Sequence, residues 1–382
     1  MPNIVKIFLD EMKGRNISFV DEYIPYYIAS VGCHIFNMAN RIKNMYVQAG
    51  TTPNMRLHIL MVAFPGFGKT FFQKQLLDNP KYSLVKGSQV QCKFEGDMTS
   101  AAFVGQILPN KDGGEPYINK VICENRSDHI IGIDEFSAMT GSFKQQYNAG
   151  FDTNLLKALD TGDVELARGA GERAYHTDLT LWAGVQPARY DLSSGFSRRF
   201  LYLTIYPTMK DLETLDDARE KMKGIRIPSG HMNAIRQALD VKVGEIYHSV
   251  KGIYFSDRFR KEMRAMKMLH YEKDLLERLA IGYSIMKQET INGQIMVDMT
   301  DDVKDLIVRE DRMRREAQMT SPSRIINKFI STEKSVDYGY TKYTLVKMGM
   351  IEADVEQGVN SLVARGIVKK EGKDLVILKP YH

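Results

Sequence analysis

One junction constrains this chain more than any other. An apolar run, Leu57-His58-Ile59-Leu60-Met61-Val62, leads directly into Ala63-Phe64-Pro65-Gly66-Phe67-Gly68-Lys69-Thr70, and a helical pattern over residues 71–77 follows. Six mostly apolar residues bounded by turn chemistry read as a buried strand, since a helix would need a longer run. The octapeptide has the spacing of a phosphate-binding loop, with Ala63 standing where glycine is usual. Strand, glycine-rich loop and helix in that order imply an α/β unit, because parallel neighbours need a crossover connection. The chemistry follows from the geometry. Glycines let backbone amides turn inward on phosphate oxygens, and the helix presents its N-terminus to the negative charge. Pro65, Gly66, Phe67, Gly68, Lys69, Thr70 and Phe71 are therefore the candidate nucleotide cradle. Lys69 would neutralise the β and γ oxygens, and Thr70 would ligate Mg²⁺.

A second apolar stretch, residues 129–133, ends in Asp134-Glu135, 65 residues beyond Lys69. Paired carboxylates at a strand end suit complementary tasks: Asp134 to hold Mg²⁺, Glu135 to orient and deprotonate an attacking water. A third strand, 179–185, ends at Gln186-Pro187, and a fourth, 201–206, stops at Pro207. Strands separated by helical stretches and ending in polar residues predict a parallel sheet with its ligand at the carboxyl ends.

The chain has 382 residues, 43% apolar and 26% charged, which suits a globular protein of two or three domains. No apolar run reaches the roughly 18 residues of a membrane span, and Asp10 and Glu11 close behind Phe8 and Leu9 leave no signal-peptide pattern. The expected location is cytoplasmic. Cys33, Cys92 and Cys123 are far apart, so neither a disulfide framework nor a zinc ribbon is encoded. With 52 basic against 47 acidic side chains, the net charge of +5 permits a polyanionic partner without demanding one. No repeat of 20 to 50 residues and no low-complexity tract interrupts the order.

The expected organisation is an α/β nucleotide-binding core with a short N-terminal helical segment over residues 1–208, a helical lid over 209–318 and a small winged helix-turn-helix domain over 319–382. The lid reading rests on apolar spacings of three and four, as in Leu275, Leu276, Leu279 and Tyr283, and predicts helices throughout. The last domain reads as three helices followed by a strand pair around Glu371-Gly372-Lys373.

Together these residues resemble an AAA+ ATPase, and within that class the motor domain of the minichromosome maintenance (MCM) replicative helicases. The stretch IASVGCHIFNMANRIKNMYVQAG is similar to that family's first helical region and IDEFSAM to its Walker B segment. LLKALDTGDVELARGAGERAYHTDLTLWAGVQPARYD is similar to its hairpin and sensor segment, and FSRRFLYL to its arginine-finger box. The resemblance covers roughly residues 20 to 206. It implies that Gln186 stands where the family has its sensor asparagine, keeping an amide donor on a longer arm. It implies that Arg199, or its neighbour Arg198, completes the site of an adjacent subunit in a ring, expected to be a hexamer. It implies a lid arginine at the nucleotide, for which Arg278 is the candidate, with Tyr271 or Lys273 as alternative registers and a surface pair with Asp274 as the plainer role. The family's large N-terminal tier has no counterpart in the roughly 20 residues before the motor.

Between the acidic pair and Gln186, residues 164–166 and 174–177 flank a glycine-rich tip and predict a β-hairpin. In MCM-like rings this hairpin faces DNA in the channel, so Arg168 and Arg173 are candidate phosphate contacts. Their plainer role is pairing with Glu165 and Glu172. On the wing, Lys369, Lys370 and Lys373 are the DNA candidates. Residues 320–382 hold ten Lys and Arg against seven Asp and Glu, so that domain is only about +3. The third helix of that domain opens with Glu352, Asp354 and Glu356, a sign unsuited to a phosphate-lined groove. The expected function is an ATP-dependent DNA helicase or translocase using ATP and Mg²⁺. The alternatives are an ATP-switched initiator or loader on duplex DNA, and a MoxR-like protein remodeller that needs no DNA.

Overall fold

The run that opens the sequence pattern becomes β1 (His58–Ala63), a central strand buried at every residue because both faces of the sheet are covered there. A computed structural model describes residues 3–96, 98–105, 107–108, 117–118, 121–137, 151–168, 171–187, 198–287, 292–318 and 321–379 of the chain. Around β1 stand β2 (Cys92–Glu95), β5 (Ile130–Ile133), β8 (Thr180–Val185) and β9 (Phe200–Ile205) in the order β2-β5-β8-β1-β9, every neighbour parallel. The four expected strands are all present, displaced by at most a residue or so. β2 was not expected. Its four half-buried residues alternate polar and apolar at a sheet edge, too short a pattern to stand out.

The helices preceding and linking these strands are α1 (Ile4–Gly14), α2 (Val20–Lys43), α3 (Lys69–Leu77), α4 (Ser100–Val104), α5 (Ile122–Asn125) and α6 (Phe151–Asp160). Two antiparallel pairs are inserted: β3 (Ile107–Leu108) with β4 (Tyr117–Ile118), and β6 (Asp163–Arg168) with β7 (Gly171–His176). Beyond β9 come α7 (Met209–Met222), α8 (Ser229–His248), β10 (Gly252–Phe255), α9 (Asp257–Ala265), α10 (His270–Lys287), β11 (Gln294–Val297) and α11 (Asp301–Ala317). The expectation of helices throughout this region is corrected here, since β10 and β11 pair in parallel. Four-residue strands joined across some 40 residues carry no local signal of their pairing.

The C-terminal residues form α12 (Pro322–Ile330), β12 (Ser335–Asp337), α13 (Tyr338–Lys347), α14 (Glu352–Ala364), β13 (Val368–Glu371) and β14 (Asp374–Ile377). The three strands make an antiparallel sheet in the order β12-β14-β13. Among the described residues no helix is long and apolar enough to cross a membrane.

Two packing devices fix the frame of the sheet. The first is a backbone-to-backbone crossing of α2 and α10. A Cβ built on Gly32 would lie 2.4 Å from the Gly282 carbonyl oxygen, and one on Gly282 would lie 2.1 Å from that of Ala29, so only hydrogen fits at either position. From α2, the Tyr27 ring meets Trp182 of β8 edge-on at 4.7 Å, and Ser30 accepts the indole N–H at 2.8 Å while donating to Leu57 O at 2.6 Å. The second device closes the outer edge of β9. Glu310 of α11 accepts the Tyr202 N–H at 3.1 Å, and Arg314 donates to the Phe200 carbonyl at 3.0 Å and to Glu310 at 2.8 Å. Side chains of a helix thus take the place of a sixth strand.

Candidate functional site

Three neighbouring strands, β5, β8 and β1, end at the same edge of the sheet, and each end carries a polar group the sequence had singled out. Register fixes this: Val62 is opposite Val185, and Ile133 is opposite Ala183. The loop after β1 turns through Gly66 (φ 85°) and Gly68 (φ 77°), left-handed positions that glycine adopts without a Cβ penalty. Gly68 is also the N-cap of α3 and offers no side-chain acceptor to the first-turn N–H groups. The Phe71 N–H turns back on the Gly68 carbonyl at 2.9 Å, which leaves the N–H groups of Lys69 and Thr70 to face an anion at the loop. Pro65 and Gly66 are exposed, Phe67 is buried as an anchor, and the Phe71 and Phe72 rings pack together at 6.0 Å behind the loop.

Lys69 Nζ meets Glu135 Oε2 at 2.8 Å, and Gln186 Nε2 donates to the same oxygen at 3.3 Å. Thr70 Oγ1 donates to Asp134 Oδ1. The structure thus brings Lys69, Glu135 and Gln186 into one contact set and Thr70 and Asp134 into an adjoining one, from positions up to 117 residues apart in the sequence.

Two participants escaped sequence reasoning. Ser137 Oγ donates to Glu135 Oε1 at 2.6 Å and fixes the carboxylate plane. Gly184 in β8 makes room for the lysine. A Cβ there would lie 2.7 Å from Lys69 Cδ and Cγ and 2.6 Å from the Asp134 carbonyl oxygen. A hydroxyl two residues beyond an acid and a glycine inside a strand are faint signals, though a glycine in an otherwise apolar strand does mark close approach.

Other expected residues lie elsewhere. Arg278 is a correction: its Nη1 donates to the Arg56 carbonyl at 3.0 Å, just before β1, whereas the loop follows β1. Six residues of strand, about 20 Å, separate the two ends. Its own carbonyl accepts the Cys33 thiol at 2.9 Å, so Arg278 ties α10 to α2 and to the residue before β1, which is neither the nucleotide contact nor the surface pair with Asp274. Arg199 stands immediately before β9, also at the end away from the loop, with Nη2 on Asp160 Oδ2 at 2.7 Å and its side chain covered. Arg198 beside it is exposed, 3.8 Å from the same carboxylate.

In the β6–β7 hairpin, Arg173 pairs with Glu124 of α5 and is largely covered, a partner the sequence did not suggest. Arg168 ends β6, and the tip residues 169–170 lie outside the described residues. Of the wing lysines, Lys369 pairs with Glu371 at 2.8 Å, Lys370 lies 4.9 Å from the centre of the Tyr338 ring and 3.3 Å from Asn360 Oδ1, and Lys373 is exposed at the turn. Lys342 of α13 bridges Glu352 and Glu356 at 2.7 and 2.5 Å, which explains the acidic start of α14 as an internal brace.

The arrangement offers an uncapped helix N-terminus and an ammonium to phosphate oxygens, two hard oxygens to a divalent cation, and a buttressed carboxylate to a water. No family model matches the chain, and no curated protein does.

Proposed function

We propose that the chain is a Mg²⁺-dependent ATPase of the AAA+ class, resembling the MCM motor domain, which works as a ring of subunits and moves along or unwinds DNA. One observation carries the reading: the phosphate loop after β1, the acid pair after β5 and the amide after β8 converge by direct contact on three adjacent strands. The strand order and the three-helix, three-strand terminal domain, read as a winged helix, support it further.

Each side chain has a defined task. Lys69, held on Glu135, turns its ammonium to the β and γ oxygens of an arriving nucleotide, which frees the carboxylate. Glu135, steadied by Ser137, then accepts a proton from the attacking water, and Gln186 orients that water or the γ-phosphate. Thr70 and Asp134 fit Mg²⁺, because their oxygens already touch and oxygen donors suit a hard cation. Bound there, the ion would neutralise developing charge on the phosphate oxygens. Arg198, exposed on the opposite end of the sheet, is too far to serve its own site and suits one in a neighbouring subunit, while Arg199 beside it is covered and held on Asp160.

The test is phosphate release with Mg²⁺, with and without DNA, beside strand displacement on a forked duplex. Wild-type turnover stimulated by DNA is expected, and Glu135→Gln should lower it by about 10² or more while nucleotide binding persists. Turnover in Glu135→Gln at the wild-type rate would falsify the assignment. A second reading, the ATP-switched loader, draws on one contact: a Cβ on Gly349, in the α13–α14 turn, would lie 3.6 Å from Pro65 of the phosphate loop. A terminal domain seated on that loop can respond to what it binds. Slow turnover with tight duplex binding and no strand displacement would favour it.

A further inference from the structure

Between α11 and the terminal domain lies a cleft of about 600 Å³. Four guanidinium groups from three parts of the chain line it: Arg312 and Arg315 of α11, Arg324 of α12, and Arg365 just past α14. Its carboxylates, Asp311 and Glu316, are already engaged. Asp311 pairs with Arg315, while Glu316 holds Lys328 at 2.5 Å and accepts the Thr204 hydroxyl at 2.9 Å. Among the described residues Arg312, Arg324 and Arg365 have no ion-pair partner, and all three are exposed. Val308 and Ile367 give the cleft its accessible apolar wall.

Like charges facing one cleft repel, so the arrangement gains only when an anion enters. Guanidinium forks match phosphate oxygens, and the volume falls in the range that takes a nucleotide-sized group. An inorganic anion would leave the apolar wall unused, whereas a sugar and base would cover it. The heads are exposed, which suits a polymer making several contacts across them better than a small ligand that must be enclosed to bind. We propose that this cleft holds the phosphodiester backbone of a nucleic-acid strand, with sugar and base against Val308 and Ile367. The inference rests on the reading of the chain as a nucleic-acid motor and adds a contact outside the hairpin and the wing.

The experiment uses the full chain, a fluorescent single-stranded oligonucleotide and a range of salt concentrations. Arg324→Gln, Arg365→Gln and the double variant are compared with wild type, and a fluorescent ATP analogue reports that the phosphate loop is intact. The double variant is expected to bind the oligonucleotide roughly tenfold more weakly, with the log–log salt slope reduced by about 0.7 for each arginine removed. Unchanged affinity and slope in all three variants overturn the cleft assignment and leave the motor reading standing. No oligonucleotide binding by wild type overturns both. Unchanged oligonucleotide binding together with fewer ATP-analogue sites per chain overturns it in favour of a free-nucleotide site.

Discussion

His58 has both ring nitrogens occupied by backbone: Nε2 donates to Leu159 O at 2.9 Å, and Nδ1 accepts the Leu181 N–H at 2.9 Å. A proton on Nδ1 would set two donors face to face, and burial, with the Arg56 guanidinium nearby, holds its pKa well below the usual histidine value. His34 is held the same way, between Thr180 Oγ1 at 3.0 Å and Asp128 O at 3.1 Å, and burial lowers it to about 4. The unfolded chain binds these protons near pH 6.5 and the folded one does not, so stability is full above that value and falls as pH drops from about 6.5 to about 4. His34 alone contributes about 3 kcal/mol to that loss. Thermal denaturation across this window is expected to show a steep fall in Tm, shallower in His34→Gln; a flat profile would contradict it. The sequence showed two histidines among apolar neighbours and nothing of their partners, which lie on β8, on α6 and in a loop, all more than 90 residues away. The placement of Lys69, Thr70, Asp134 and Glu135 was legible by contrast, because loop spacing and strand ends dictate those positions. Gly184 and Ser137 become meaningful only once Lys69 and Glu135 are in place beside them.

At the scale of elements, α11 is held to β9 by a buried ion pair whose members also serve the backbone. Glu310 and Arg314 are both almost fully covered, with the guanidinium 4.8 Å from the centre of the Tyr202 ring. Arg314→Met would strand the Glu310 charge beside β9 and should cost about 3–5 kcal/mol in urea unfolding. Adding Glu310→Gln removes the stranded charge and should recover part of that loss. No recovery in the double variant would mean the pair acts by packing alone. Strands with continuous apolar runs, such as β1, β8 and β9, were legible, since burial on both faces writes itself into every residue. β2, β10 and β11 were not, because each is four residues long and gains its stability from a distant neighbour. Arg173 shows the same limit: hairpin and arginine were readable, but the covering Glu124 belongs to a one-turn helix far back in the chain.

At the scale of the molecule, the terminal domain reaches the loop after β1 through Gly349, which holds φ 101°, and is tied to α11 through Lys328 and Glu316. Gly349→Val strains that turn and pushes it against Pro65. The expected result is weaker binding of an ATP analogue and a smaller nucleotide-induced rise in Tm, with Lys69 untouched. Equal affinity in the two proteins would show that the turn rests on the loop without influencing it. The sealing of β9 has a further consequence. An open outermost strand offers its amides and carbonyls to any extended peptide, including another copy of itself, and is a common starting point for fibrils. Here Glu310 and Arg314 already occupy the Tyr202 amide and the Phe200 carbonyl, so crowding on that flank cannot extend the sheet from chain to chain until α11 peels away.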